Sequence, residues 1–172
     1  EEENLANCIS EIFEKLDKHQ IIHEILVVDD GSTDNTPILL QQIVQKYPTV
    51  RYLRNDGENG FGQAVRLGLQ KFTGDAVAIM MADRSDSPQD LVNYWNKLQE
   101  GYECVFGSRF IKGSKVYDYP KIKLLVNRLV NTMIRYAFRI ETNDVTNAFK
   151  IYRREVIEGC KPFISPHFNL TV

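Results

Sequence analysis

A run of aliphatic residues that ends in two carboxylates, within residues 24–34, constrains the fold of this chain more than any other feature. Residues 25–28 are all aliphatic, as expected for a parallel strand buried on both faces, and Asp29 and Asp30 follow directly, before a Gly-Ser turn. In open α/β sheets, ligands bind beyond the carboxyl ends of the strands. The stretch therefore predicts a ligand site; the alternative is that Asp30 or Ser32 only caps the next helix.

Length and composition are those of an ordinary globular domain. The chain has 172 residues, of which 43% are hydrophobic and 26% charged, enough for one domain with a sheet covered on both faces. The net charge of -2 argues against nucleic acid as a partner, since nucleic-acid binding is typical of strongly basic chains. Cys8, Cys104 and Cys160 lie far apart and in no metal-ligand spacing, which indicates buried thiols in a reducing, cytoplasmic compartment.

Strand and helix patterns alternate along the chain. Apolar residues at helical spacing predict helices over residues 2–18, 36–46, 64–72, 88–100 and 121–139. Short aliphatic runs predict further strands at residues 50–53, 75–81, 103–107 and 148–152. Residues 112–120 and the last dozen residues are predicted to be irregular. Strict alternation predicts an α/β fold with a mostly parallel sheet, right-handed crossovers and helices on both faces.

The predicted helix over residues 121–139 is strongly amphipathic and basic. Its apolar face comprises Ile122, Leu125, Val126, Leu129, Val130, Met133, Ile134, Ala137 and Phe138. Its basic residues lie off that face and are Lys121, Lys123, Arg128, Arg135 and Arg139. We expect the helix to dock on the sheet, and the alternative is a helix that lies on a membrane surface.

A second predicted strand ends in an acid, Asp83. Ser87, Pro88 and Asp90 predict the start of the following helix, but nothing local requires Asp83. Carboxylates gathered at neighbouring strand ends repel one another unless a cation or a sugar hydroxyl lies between them. Mg²⁺ or Mn²⁺ held by one or two carboxylates and completed by substrate phosphates suits such a site, so we expect a nucleotide diphosphate as ligand.

Two further features suit a phosphate group. Arg109 follows another predicted strand, and its guanidinium fork matches phosphate oxygens; a structural ion pair with one of the acids is the alternative. Residues 60–62, Gly-Phe-Gly at a helix start, either bring backbone N–H groups to a phosphate or form an ordinary turn. Both alternatives remain open.

Six short segments stand in a specific order, each weak as a signal alone. They are residues 1–5, 27–34, 59–64, 81–83, 107–110 and 147–155. Together they resemble the family 2 glycosyltransferases, particularly the branch of dolichyl-phosphate mannosyltransferases and their bacterial relatives. The resemblance implies a GT-A fold and transfer of a sugar, with inversion, from a UDP- or GDP-linked donor to an acceptor, either a polyprenyl phosphate or a glycan hydroxyl.

The resemblance also implies roles for individual residues. Asp29 and Asp30 are expected to hold the base and ribose, Asp83 the metal, and Arg109 a phosphate. The residues expected to bind substrate are Asp29, Asp30, Ser32, Asn59, Gly60, Asp83 and Arg109. Asp144 matches an acidic position near the acceptor, and we expect it to serve catalysis together with Arg109. It would be a general base for a hydroxyl acceptor, but would only orient a polyprenyl phosphate.

The chain departs from the family pattern at three points. The first acid of the family's Asp-x-Asp motif falls on Met81, which cannot ligate a hard ion, so we expect Asp86 to share the metal with Asp83. The family normally starts with a strand that carries a Pro-x-Tyr-Asn-Glu motif; this chain begins inside the acidic tail of that motif, and it ends in the middle of a family segment. We therefore expect residues 1–172 to form a single catalytic domain that lacks its first strand and its C-terminal part.

Two other functions share part of this pattern. A receiver-like signalling domain also has an acid pair after its first strand, an Asp after its third strand and bound Mg²⁺. The Met-Pro pair expected after the third-strand Asp and the Lys expected after the last strand are missing here. A sugar nucleotidyltransferase would need a Gly-rich phosphate loop near the N-terminus, which is not seen.

The basic helix over residues 121–139 favours a lipid phosphate acceptor and contact with the inner face of the membrane.

Overall fold

The computed structural model describes residues 2–114 and 120–165. Residues 115–119 and 166–172, which belong to the segments predicted to be irregular, lie outside the described residues. The helices are α1 (Glu2–Lys18), α2 (Thr36–Lys46), α3 (Phe61–Lys71), α4 (Pro88–Gln99), α5 (Lys121–Phe138) and α6 (Arg154–Gly159). The strands are β1 (Ile25–Asp29), β2 (Val50–Arg54), β3 (Ala76–Ile79), β4 (Cys104–Phe106) and β5 (Lys150–Arg153).

The strands form two hydrogen-bonded groups. β1 pairs with β2 in parallel, whereas β5 lies between β3 and β4 and runs antiparallel to both. The predicted α/β fold with parallel strands and covering helices is confirmed. β5 is the antiparallel exception to this order, because the connection through α5 brings the chain back at the end of the sheet where β4 stopped.

This reversal determines which residues meet. Lys150, the first residue of β5, lies opposite both Ile79, the last residue of β3, and Phe106, the last residue of β4. The segments that follow β3, follow β4 and precede β5 therefore converge. We call this end of the three strands the site edge.

The helices cover the strands on two sides through separate hydrophobic clusters. On one side, α1 and α4 pack around Ile12 and Val92, with Ile25 of β1 and Ala78 of β3 against them. On the other side, the cluster of α3 and α6 receives Leu26 and Val77 from the same two strands. Alternate residues of β1 and β3 thus face the same two clusters, which places the two strands in one layer.

The prediction that α5 docks its apolar face on the sheet is wrong. Among the α5 side chains that the structure describes, Asn131 is the one that is buried. The exposed apolar side chains of α5, which are 40% to 79% accessible, are Ile122, Leu125, Val126, Leu129, Val130, Met133, Tyr136 and Phe138. The buried contact of α5 is therefore made by a polar side chain, while its apolar surface is exposed. No described helix is both long enough and apolar enough to cross a bilayer.

Tyr94 of α4 packs closely against the backbone at the end of β4. Its ring lies 4.6 Å from that of Phe149, and a Cβ built at Gly107 would overlap its hydroxyl oxygen and lie 3.1 Å from Cζ. The same Cβ would lie 3.0 Å from Nδ2 of Asn147. Only glycine fits at position 107, directly before the Ser-Arg pair that enters the site edge.

We expect Gly107→Ala to lower the free energy of unfolding by about 1–3 kcal/mol, since the added methyl group overlaps Tyr94. Tyr94→Phe removes the overlapping oxygen and should restore most of this loss in the double variant. Gly159→Ala is the matched control, because a Cβ there meets nothing within 4 Å. Urea unfolding of the four variants measures the effect, and equal stability of Gly107→Ala and wild type would contradict the packing described.

Candidate active site

Asp29 is enclosed at the end of β1. Its side chain is 0% exposed; its carboxylate accepts hydrogen bonds from the Ser32 backbone N–H (2.7 Å) and the Tyr52 hydroxyl (3.1 Å), with Arg54 Nη1 3.6 Å away. Burial alone would raise the pKa of Asp29, but these partners outweigh it and hold the pKa below its usual range. The side chain therefore stabilises the turn after β1.

Asp30 links the same turn to the start of α3. Its carboxylate accepts hydrogen bonds from Asn55 Nδ2 at 2.7 Å and from the backbone N–H of Gly60 at 2.6 Å. Gly31 has φ of 83°, and a Cβ there would lie 2.8 Å from Nδ2 of Asn59, so the two loops touch. We call this group the donor cluster; it contains Asp29, Asp30, Ser32, Asn59 and Gly60, all predicted from the sequence.

The capping alternative for the donor cluster is wrong. The N-cap residue of α2 is Asn35, and the backbone N–H of Thr36 donates to Asp34 Oδ1 at 3.0 Å. Neither Asp30 nor Ser32 contributes to this cap. At the start of α3, the backbone N–H of Gly60 donates a hydrogen bond to Asp30. In the structure this N–H group therefore holds the loop and is not directed at a phosphate site.

Asp83 and Asp86 follow β3, and each accepts one local hydrogen bond. Asp83 Oδ1 accepts from the Ser85 N–H at 2.9 Å, so the expectation that Asp83 has no local partner is wrong. Asp86 Oδ2 accepts from the Met81 N–H at 2.8 Å. Burial raises the pKa of Asp86 to about 6, and the charge of Asp83 adds to the rise against the Met81 bond. The two carboxylates therefore lie in each other's field.

These carboxylates fit a divalent cation only if the substrate completes its shell. Within residues 2–114 and 120–165, no group of three or more His, Cys, Asp or Glu side chains is arranged to hold a metal ion. Mg²⁺, however, is commonly bound by one or two carboxylates together with substrate phosphates and water. Asp83 and Asp86 supply two carboxylates after the same strand, and the Met81 backbone N–H donates a hydrogen bond to Asp86.

Arg109 and Asp144 form a bidentate ion pair at the site edge. Arg109 Nε donates to Asp144 Oδ2 at 2.8 Å and Nη2 to Oδ1 at 2.7 Å, and the Arg109 backbone N–H also donates to Oδ2 at 2.9 Å. The Asp144 side chain is 0% exposed and that of Arg109 is 24% exposed. Arg109 Nη2 also donates to Thr146 Oγ1 at 3.1 Å. The guanidinium plane is thus held on two sides by one loop.

Lys150 is a buried cation that sequence reasoning missed. Its side chain lies beneath the loop that carries Asp144, and its Nζ donates to the carbonyl oxygen of Val145 at 2.9 Å. Burial lowers the pKa of Lys150 to about 8, opposed by the negative charge of Asp144. With Arg109, two cations surround one carboxylate, which makes this part of the edge positive. A lysine inside an otherwise apolar strand pattern was the available signal.

Tyr94, also missed, connects the acids after β3 with the loop before β5. Burial raises the pKa of Tyr94, and the negative charges of Asp90, Asp86 and Asp144 raise it further. Asp86 and Asp144 therefore lie around the same phenol, although 58 residues separate them in sequence. The strand register agrees with this: Ile79 at the end of β3 lies opposite Lys150 at the start of β5, so the segments that carry Asp86 and Asp144 leave the sheet at the same end.

An open groove lies beside Arg109 against α5. It has a volume of about 420 Å³ and is lined by Arg109, Phe110, Ile111, Leu124, Leu125 and Arg128. Four of these side chains are apolar and two are cationic. Such a lining suits a ligand that carries an anionic group on a hydrocarbon chain.

We expect Asp29→Asn to lower the free energy of unfolding by about 2 kcal/mol at neutral pH, because hydrogen bonds to a buried carboxylate are lost. The folded pKa of Asp29 lies below its ordinary value of 3.8, so its stabilisation is complete above that pH and is lost as the pH falls through the folded pKa. The difference between Asp29→Asn and wild type should therefore shrink in urea unfolding toward acid pH. The exposed Asp75→Asn is the control, and a gap independent of pH would contradict the assignment.

Comparison with known proteins identifies the family of this chain. Residues 1–160 match the family described as Glycosyl transferase family 2. The chain is 32% identical over 166 residues to a dolichol-phosphate mannosyltransferase of Pyrococcus furiosus, covering 92% of this chain and 45% of the relative. It is 32% identical over 138 residues to a polyprenol monophosphomannose synthase of Mycolicibacterium smegmatis, covering 78% of this chain and 52% of the relative.

The fold has a solved counterpart. A crystal structure of a mycobacterial protein matches with a TM-score of 0.67 at 19% identity, covering 99% of this chain and 55% of that one. This likeness supports the GT-A fold. The chain spans about half the length of the relatives it matches. The family match also decides against the receiver-like and nucleotidyltransferase alternatives. The chain belongs to glycosyl transferase family 2.

Proposed function

We propose that this chain is the catalytic domain of an inverting glycosyltransferase that transfers a sugar from a nucleotide diphosphate sugar to a polyprenyl phosphate. The observation that carries this proposal is the groove of about 420 Å³ in which two arginines adjoin four apolar side chains. The names of the two relatives, a dolichol-phosphate mannosyltransferase and a polyprenol monophosphomannose synthase, support the same acceptor class. A glycan hydroxyl, the other acceptor considered, would gain little from the apolar lining.

The acceptor phosphate would lie against Arg109 and Arg128. Asp144 already engages Arg109 with both carboxylate oxygens and is 0% exposed, so it orients the guanidinium and has no open path to a substrate proton. A phosphate acceptor is already ionised and needs no general base. The excess positive charge from Arg109 and Lys150 would attract it. We therefore propose that Asp144 is a positioning residue: it orients Arg109, which would bind the acceptor phosphate.

The exposed face of α5 would lie on the membrane that contains the lipid acceptor. Leu124, Leu125 and Arg128 of α5 line the groove, and the adjacent apolar residues of the helix are exposed. A basic amphipathic helix binds an anionic surface through buried apolar area and through charge. We propose peripheral contact at the inner face of the membrane, with the isoprenoid chain entering the groove along α5.

The donor would bind across the donor cluster and the acids after β3. Asp30, Ser32 and Asn59 would contact the base and ribose, and Asp83 with Asp86 would hold Mg²⁺ or Mn²⁺ against the diphosphate. Such an ion would neutralise negative charge on the leaving diphosphate. The acceptor oxygen forms its bond to the anomeric carbon on the face opposite the diphosphate while the carbon–oxygen bond to the diphosphate breaks, which inverts the configuration.

Substitution in the groove tests the acceptor assignment. We expect Arg128→Ala to weaken the binding of farnesyl phosphate about tenfold, because a charge-assisted phosphate contact is lost. Binding of farnesol, which lacks the phosphate, should change less than twofold. Arg66→Ala on α3 is the control for loss of an arginine elsewhere. Calorimetry of both ligands decides, and equal losses for farnesyl phosphate and farnesol would contradict a phosphate contact.

Substitution of the metal acids tests the donor assignment. We expect Asp83→Asn to weaken Mn²⁺-dependent binding of UDP or GDP at least about tenfold without loss of fold, since Asp83 is exposed and lies outside the hydrophobic clusters. Asp90→Asn, an exposed acid on the first turn of α4, is the control. Unchanged affinity for both nucleotides in Asp83→Asn would contradict the metal site. Calorimetry with and without EDTA makes the measurement.

A further inference from the structure

Asn131 is the buried polar residue through which α5 contacts the loop before β5. It is 0% exposed, although most of the described helix around it is at the surface. Its Nδ2 donates to the carbonyl oxygen of Asn127 at 2.9 Å and to Thr146 Oγ1 at 2.9 Å, and its Oδ1 accepts from the Thr146 N–H at 3.1 Å. Buried amide groups in proteins have hydrogen-bond partners, and Asn131 follows this rule. Its bonds to Thr146 attach α5 to the loop before β5.

Thr146 passes this contact on to Arg109. Its hydroxyl oxygen accepts from Asn131 Nδ2 at 2.9 Å and from Arg109 Nη2 at 3.1 Å. Arg109 is held on its other side by Asp144, two residues earlier in the same loop. A continuous series of hydrogen bonds therefore runs from α5 through Asn131 and Thr146 to the guanidinium group.

We propose that Asn131 and Thr146 are positioning residues that couple the seating of α5 to the orientation of Arg109. The inference rests on the proposed function, because it concerns the phosphate of the polyprenyl acceptor. Arg128 lies one turn before Asn131 on α5. The contact between Asn131 and Thr146 would therefore also set the spacing between the Arg109 and Arg128 guanidinium groups. The groove is then able to bind the phosphate only when the helix that lines it is in place.

A purely structural role would not require this arrangement. α5 carries many Leu, Ile and Val residues, yet its buried contact is made by the amide of Asn131. This amide hydrogen bonds to Thr146, which is also a hydrogen-bond partner of Arg109. Apolar packing tolerates small shifts and rotations of a helix, whereas bonds to both the N–H and the hydroxyl of Thr146 specify one orientation. A contact between Arg109 and a phosphate depends on the direction in which Asp144 and Thr146 hold the guanidinium group.

A pair of substitutions at Thr146 tests the coupling. Thr146→Val removes the shared hydroxyl but keeps the side-chain shape and the backbone N–H, whereas Thr146→Ser keeps the hydroxyl. We expect Thr146→Val to weaken binding of farnesyl phosphate about tenfold and Thr146→Ser less than twofold. Farnesol binding and Mn²⁺-dependent UDP or GDP binding should stay within twofold of wild type in both. Thr132→Val, which removes an exposed hydroxyl from α5, is the matched control.

Asn131→Leu provides the second measurement, because it removes the amide but keeps a side chain of similar size. Because the path from Asn131 to the Arg109 guanidinium runs through the Thr146 hydroxyl, adding Asn131→Leu to Thr146→Val should weaken farnesyl phosphate binding by at most a further factor of about two. Multiplying losses would overturn the coupling. Thermal unfolding identifies any variant that fails to fold, and the Thr146 pair then decides.

The coupling and the proposed function fail in different ways. If wild type binds farnesyl phosphate no more tightly than farnesol, the phosphate acceptor is wrong and the coupling falls with it. If wild type prefers farnesyl phosphate but Thr146→Val binds it like Thr146→Ser, the coupling alone is overturned. A loss in Thr146→Val that affects farnesol equally would show a general disturbance of the groove and would also overturn it.

Discussion

The antiparallel insertion of β5 between β3 and β4 is the constraint on which the rest of the site depends. Its register sets Lys150 against the last residues of both neighbours, Ile79 and Phe106. A parallel β5 would begin at the opposite end of the sheet and would leave the loop that carries Asp144 far from Arg109. Because β5 is reversed, three segments distant in sequence deliver acids and cations to one edge, and α5 is held beside them.

Buried charge at this edge is arranged for orientation and not for stability. Two enclosed ions lose hydration that their mutual attraction regains only with good geometry, so a buried pair is weak evidence for stabilisation. Here Asp144 makes three hydrogen bonds to Arg109, while Lys150 bonds to a neighbouring carbonyl oxygen. Each of these three groups is oriented by its hydrogen bonds, and the charges of Arg109, Lys150 and Asp144 together sum to a positive value. Such a group of charges suits the binding of the proposed acceptor phosphate before the nucleotide diphosphate leaves.

Local rules were sufficient to predict part of this arrangement from the sequence. Acids after buried strands identified Asp29, Asp30 and Asp83, because the position of a residue at a strand end is a local property. The antiparallel β5, the pairing of Arg109 with Asp144 across 35 residues and the burial of Lys150 are tertiary facts that no local pattern contains. The periodicity of α5 correctly predicted a helix, but it did not predict which side of the helix packs: among the described side chains of α5, the buried one is Asn131.

The central claim is that the acceptor phosphate and the donor diphosphate meet at one edge, between the acids after β3 and the Arg109–Asp144 pair. A crystal structure with Mn²⁺, UDP or GDP, and farnesyl phosphate tests it most directly, with Mn²⁺ located by its anomalous scattering. We expect Mn²⁺ beside Asp83 and the farnesyl phosphate group against Arg109 and Arg128, facing the diphosphate. A lipid phosphate bound elsewhere, or Mn²⁺ and nucleotide bound away from Asp83, would contradict it.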